Sequence, residues 1–114
     1  MFISHETKCV NMDNIDTMEV AHRDLYNDYI IEIRKNNAIV LCIYSSAHMT
    51  FEEAKFVYEN LLACLNGVYY DIRKKRYVER EENTKGRAIL VDESTVDDVI
   101  KVYHEQIEKK RKHS

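Results

Sequence analysis

The sequence predicts an α+β fold: a mostly antiparallel sheet with two helices, at about 51–66 and 95–110, in a single domain spanning 1–114. Three observations predict it. Apolar residues alternate with a period of two through much of the N-terminal half, as in half-buried strands. Lys35-Asn36-Asn37 separates two such stretches, and asparagine tolerates the left-handed backbone of a tight hairpin turn. Two later segments carry apolar residues at helical spacing, each opened by a residue suited to capping a helix.

The elements follow in order. Phe2-Ile3-Ser4 is a short apolar strand, Glu6-Thr7-Lys8 a polar turn, and Cys9-Val10-Asn11-Met12 a returning strand. Asp13-Asn14 supports an Asx-type turn, in which a short polar side chain bonds a nearby backbone amide. Thr17 to His22 alternates, with Met18, Val20 and His22 on one face, and Asp24 to Asp28 is polar and turn-like. Tyr29, Ile31 and Ile33 then point one way, and Ile30, Glu32 and Arg34 the other. Ala38 to Tyr44 is almost wholly apolar, so both its faces are expected to be covered and it is placed centrally in the sheet.

Thr50 and Glu53 form a capping box, each side chain reaching the other's backbone amide. Phe51, Ala54, Tyr58, Leu61 and Leu65 continue the helical stripe, widened by Val57 and Leu62, and Gly67 ends it. Val68 to Ile72 and Arg76 to Arg80 read as strands about a basic turn, Glu81 to Gly86 as a polar loop, and Ala88 to Val91 as a buried strand. Ser94 is expected to cap the second helix with Asp97 at its third position, and the basic run Lys109 to Lys112 suits the negative end of the helix dipole.

Composition narrows the function. The 114 residues are 45% apolar and 32% charged with a formal net charge of −3, so no global field draws the chain to nucleic acid or to an anionic membrane. No apolar run approaches the ~18–20 residues of a membrane helix, and Met1 to Glu6 lacks the pattern of a signal peptide. Cys9, Cys42 and Cys64 are widely spaced and read as reduced thiols, which predicts a cytoplasmic protein.

Catalytic and metal chemistry finds little purchase. His5, Cys9 and His22 offer imidazole and thiolate ligands, but without CxxC or HxxxH spacing and without a fourth ligand they read as structural or surface residues. Ser45, Ser46 and His48 lie close together, yet no glycine-flanked elbow presents a serine, and a turn leading into a capped helix explains them. Glu52-Glu53 and Asp97-Asp98 begin helices, where the dipole accounts for paired acids. Two isolated glycines cannot form a phosphate-cradling loop. No catalytic residue, metal or cofactor is therefore expected.

The stretch from Phe2 to Asn66, with its opening apolar strand, the segment Val10-Asn11-Met12-Asp13-Asn14-Ile15, two further strands and the helix start Thr50-Phe51-Glu52-Glu53-Ala54, resembles a loose group of small uncharacterised proteins of Gram-positive bacteria and their phages. The resemblance covers residues 1–66 and stops before Val68. That group has no established activity, so it supplies no catalytic residue, and it implies an origin in a phage, prophage or other mobile element.

Two surfaces remain as candidates. Residues 1–67 hold 5 Lys and Arg against 10 Asp and Glu, whereas residues 68–114 hold 12 against 10. Within the more basic half, Tyr69, Tyr70, Arg73, Lys74, Arg76 and Tyr77 interleave cations with aromatics. Tyrosine and arginine dominate protein-binding hot spots, and cations with stacking rings also suit unpaired nucleic acid. Val96, Ile100, Tyr103 and Ile107 form a narrow stripe that either docks on the chain's own sheet or pairs with a second copy, a homodimer. The sequence thus predicts a small non-catalytic binding protein, an inhibitor or adaptor acting by protein–protein interaction. The alternative is a nucleic-acid accessory protein using residues 69–80.

Overall fold

The computed structural model describes residues 2–65, 68–71, 76–79 and 88–112, the strands at 68–71, 76–79 and 88–90 through their backbone. The fold is α+β. β1 (Phe2–His5) and β2 (Lys8–Asn11) form a hairpin, followed by a 3-10 turn at Met12–Asn14. Next come β3 (Thr17–Arg23), β4 (Asp28–Lys35), β5 (Ala38–Ile43) and the helix α1 (Phe51–Leu65). β6 (Val68–Asp71), β7 (Arg76–Glu79), β8 (Ala88–Leu90) and the long helix α2 (Glu93–Lys112) complete the order. Among the described residues, no helix is long and apolar enough to cross a membrane.

The strands do not form one sheet. β3-β4-β5 is an antiparallel sheet, β6-β7 a two-stranded ribbon, and β2-β1-β8 a third sheet in which β8 runs parallel to β1. The reason lies at the β2–β3 junction. Asn11 caps the 3-10 turn by accepting the Asp13 amide at 3.0 Å, and Met12 is buried there, so the chain leaves the first hairpin before β3 begins. The free edge of β1 is taken by β8, and the Val91 amide extends that pairing to the Ser4 carbonyl at 2.7 Å.

The β4–β5 turn forms as its residues dictate. Asn36 and Asn37 both have positive φ, 54° and 63°, the backbone of a two-residue turn whose twist matches paired strands. The expected central place of Ala38–Tyr44 is corrected. β4 is the middle strand and β5 lies at the edge of its sheet, with Ala38 and Ile39 exposed. A register shift at Ile33/Arg34 accommodates an extra residue on β5. β5 also lies against β1 and β2, which belong to another sheet.

One hydrophobic core gathers residues from both ends of the chain: Ile3 of β1, Ile31 and Ile33 of β4, Leu41 and Ile43 of β5, Ala54, Val57 and Leu61 of α1, and Val91 and Val96 near the start of α2. Met18, Val20 and Tyr29 pack against it, as their alternation predicts. α1 opens on the expected capping box: the Thr50 amide donates to Glu53 at 2.8 Å, and the Glu53 amide to the Thr50 hydroxyl at 3.2 Å. The stripe of α1 is less completely covered than its spacing suggests, since Phe51 and Leu62 remain exposed.

α2 begins one residue before Ser94, and Ser94 is not its cap. The Asp92 carbonyl accepts the Val96 amide at 2.9 Å, and the amide of Glu93 is taken by the carboxylate of Glu6, also at 2.9 Å. The helix is thus capped from the β1–β2 turn. Asp97, expected to serve that cap, binds Ser45 and Ser46 instead.

Candidate protein-binding surface

The turn from β3 to β4 is tied by several side-chain interactions. Arg23 and Asp28 are register partners closing the strands, and the guanidinium makes a two-pronged contact with the carboxylate, 2.9 Å from Nε and 2.7 Å from Nη2. Such a fork fixes direction as well as distance. Asp28 is only 1% exposed and also meets Nδ1 of His48 at 3.3 Å. The Arg23 hydrogen bonds hold the Asp28 carboxyl below the usual aspartate range, with a smaller pull from His48, against the upward push of burial. Arg23 is raised in turn, first by its bond to Asp28.

The turn itself is tied on both sides. Asn27 adopts a positive φ of 48°, and its amide bonds the Asp24 carbonyl at 3.2 Å. His22 reaches across it, with Nε2 at 3.1 Å from Asn27 Oδ1 and Nδ1 at 3.0 Å from Asp24. The Tyr26 ring has the Arg23 guanidinium 4.4 Å from its centroid and stacks on His48 at 5.4 Å with planes 15° apart. His48 reaches this position with a φ of 57°, in the left-handed region that a histidine seldom occupies. Strain of this kind persists only where surrounding contacts hold it.

What the ties present is apolar. Leu25 is 83% exposed and Tyr26 50%. A separate chain of edge-on rings runs from His22 to Tyr29 at 5.0 Å and from Tyr29 to Phe51 at 5.4 Å, with Phe51 46% exposed at the start of α1. The Tyr29 amide donates to the Met49 carbonyl at 2.9 Å, which joins the start of β4 to the segment leading into α1. The turn therefore offers Leu25 and Tyr26 on a backbone that is already fixed.

The serines near His48 point elsewhere. Ser45 is buried, and its hydroxyl donates to Asp97 Oδ1 at 2.5 Å while accepting the Ala47 amide at 3.1 Å. Ser46 donates to Asp97 Oδ2 at 3.1 Å. His48 is directed to Asp28, so the two serines tie the β5–α1 connection to α2 while His48 ties it to the start of β4.

The sequence-derived candidates are placed as follows. Tyr69, Tyr70, Arg76 and Tyr77 lie on the β6–β7 ribbon, where Tyr70 stands opposite Tyr77 and Asp71 opposite Arg76 in the register. Arg73 and Lys74 lie outside the described residues. In the α2 stripe, Val96 is fully buried in the chain's own core, Ile100 packs against that core, and the Tyr103 ring meets Phe56 of α1 at 5.2 Å, tilted by 38°. Ile107, farther along, is half-buried. His5, Cys9 and His22 are not brought together, and among the described residues no group of three or more His, Cys, Asp or Glu could hold a metal ion.

Sequence reasoning missed the turn because Asp24 to Asp28 reads as a polar connection. The signal was present: Leu25-Tyr26 is an apolar pair inside that connection, where solvation alone would favour polar residues. The roles of Arg23, Asp28 and His48 depend on strand register and on a connection twenty residues away, which periodicity does not report. Comparison of the chain with family models, curated proteins and solved structures returns no match.

Proposed function

We propose that the chain is a non-catalytic binding protein acting stoichiometrically by protein–protein interaction, with the β3–β4 turn as its contact surface. One observation carries this reading: Leu25 and Tyr26 stand 83% and 50% exposed on a turn whose other side chains are engaged with one another. Exposed apolar groups on fixed backbone bind with little loss of conformational freedom, and tyrosine beside arginine is a favoured composition for such contacts. The partner this surface fits is a protein with an apolar pocket for Leu25, flanked by area on which Tyr26 lies. An inhibitor or adaptor works in this way, and the resemblance of residues 1–66 suggests an origin for it in a mobile element. A cytoplasmic setting suits Cys9, Cys42 and Cys64, none of which is joined to another in a disulfide.

The test is to recover the partner from the native host and measure its affinity for purified variants. Leu25→Asp is expected to weaken binding more than tenfold while leaving the melting temperature close to that of the parent, because that side chain is 83% exposed. Undiminished affinity would remove the turn from consideration. Loss on Arg73→Glu with Arg76→Glu instead would move the interface to the β6–β7 ribbon. A steep fall of binding with salt would identify nucleic acid as the partner. Saturable turnover of a small molecule by the purified protein would overturn the binding reading itself.

A further inference from the structure

A strand at the edge of a sheet offers unpaired backbone amides and carbonyls, and folded proteins blunt such edges with charge, proline or shortness. Among the described residues, the edge strand β3 carries Glu19 and Arg23, β2 carries Lys8, and β8 is three residues long. β5 runs for six residues, Ala38–Ile43, without a charge or a proline. Its one interruption is an extra residue at Val40, where the register passes from Ile33–Leu41 to Arg34–Ile39. Such a bulge bends a strand, but it leaves this one uncovered at its start, with Ala38 exposed and Ile39 48% exposed.

A cavity of about 220 Å³ follows this edge, bordered by the consecutive residues Ile39 to Cys42 on one side and by Thr7 and Lys8 of the β1–β2 turn on the other. Successive side chains of a strand point to opposite faces, so a space bordered by consecutive residues lies along the backbone edge and not on one face. The charges beside it are unbalanced. Lys8 lines the cavity, and Lys35 is the register partner of Ala38 at the start of the strand. Neither lysine has an ion-pair partner among the described residues. The neighbouring carboxylates are engaged, Glu6 with the Glu93 amide and Glu32 with Nη2 of Arg34, each at 2.9 Å. We infer that the outer edge of β5 is a docking site for a short extended segment of another protein, in which apolar residues alternate with acidic ones. The segment pairs its backbone with β5, rests apolar side chains on Ile39 and in the cavity, and turns its carboxylates to Lys8 and Lys35. Strand addition of this kind draws affinity from main-chain hydrogen bonds and selectivity from alternate side chains. The surface shares no residue with the β3–β4 turn and does not depend on the role proposed for that turn.

The full chain is titrated with a short end-blocked peptide of alternating valine and glutamate and, separately, with its valine–lysine counterpart. Backbone amide shifts and amide exchange are followed by NMR. The expected result is saturation by the acidic peptide, with shifts concentrated in β5 and the β1–β2 turn and affinity at least tenfold above that for the basic one. Exchange at the β5 amides, Ala38 and Ile39 among them, is expected to slow at saturation, which charge attraction without strand pairing would not produce. Lys8→Gln with Lys35→Gln is expected to weaken the acidic peptide several-fold and remove its advantage over the basic one. Leu25→Asp, which tests the β3–β4 turn, is expected to leave this binding unaltered. Equal affinity for the two peptides, shifts lying elsewhere, unaltered exchange along β5 at saturation, or no saturation at millimolar concentration would overturn the inference.

Discussion

The carboxylate of Glu6 accepts the backbone amide of Glu93 at 2.9 Å, while the amide of Glu6 donates to the side chain of Asp92 at 2.7 Å. The pair is a capping box in which the two halves are separated by most of the chain. It satisfies one of the orphan amides at the start of α2 and places a negative charge at the positive end of the helix dipole. It also holds Glu6 at a φ of 53°, which a non-glycine residue rarely adopts. Glu6→Ala keeps the backbone penalty and removes the cap, so it is expected to destabilise by about 1–2 kcal/mol. Chemical denaturation measures this, and hydrogen exchange should show the loss concentrated in the first turn of α2. An unchanged first turn would mean the cap is redundant.

Acid should weaken the fold through two carboxylates. Asp28 is held low chiefly by its hydrogen bonds to Arg23. For Glu53, burial pushes upward, but the Thr50 amide, then His104 and the Thr50 hydroxyl, outweigh it and lower the group. A carboxylate whose folded pKa lies below its unfolded value, near 4, contributes stability in full above that value. The contribution is lost as pH falls through the folded pKa. Stability is therefore expected to be flat from neutral pH to about 5 and to fall steeply below 4. Asp28→Asn should be less stable at neutral pH by about 3 kcal/mol, since Arg23 loses its buried counter-ion, and its acid limb should be shallower. An identical pH profile in the variant would contradict the assignment.

How far the sequence reveals this molecule depends on the range of each interaction. The Thr50–Glu53 box, the Asn36-Asn37 turn and the alternation of β3 and β4 are local, and residue type alone defines them. β5 was legible as a strand but not as an edge. Two apolar faces report that both sides of a strand are covered, not whether its backbone edge is paired, and β5 is covered by elements of another sheet while its outer edge has no described strand partner. The parallel pairing of β1 with β8, the Glu6 cap and the Ser45–Asp97 bond each join residues more than fifty positions apart. No period or cap motif reports such pairs, and the exposed Leu25-Tyr26 tip gained meaning only once Arg23, Asp28 and His48 were placed around it.

The sheet order fixes which amides are best protected. β4 is bonded on both sides, whereas β5 has one described strand partner, and Ile31 and Ile33 are fully buried. Amides of Ile30 to Ile33 are expected to exchange only with global unfolding, and those of Ala38 and Ile39 much faster. Equal protection along β5 would show that its outer edge is covered.

The α2 stripe can be tested for what each of its residues supports. Val96 is fully buried, and Ile100 packs against the core, so these positions serve the monomer. Ile100→Asp places a charge beside apolar neighbours and is expected to lower stability by about 2–4 kcal/mol, measured by denaturation. Its effect on self-association is then inseparable from its effect on folding. Ile107 is the discriminating position, being half-buried two turns farther on. If the stripe pairs two copies, Ile107→Asp should shift sedimentation toward monomer while leaving the melting temperature at low concentration nearly unchanged. If α2 only docks on α1, as the Phe56–Tyr103 ring contact and the 2.7 Å His104–Glu53 contact favour, sedimentation at high micromolar concentration should show a monomer for the parent and the variant alike.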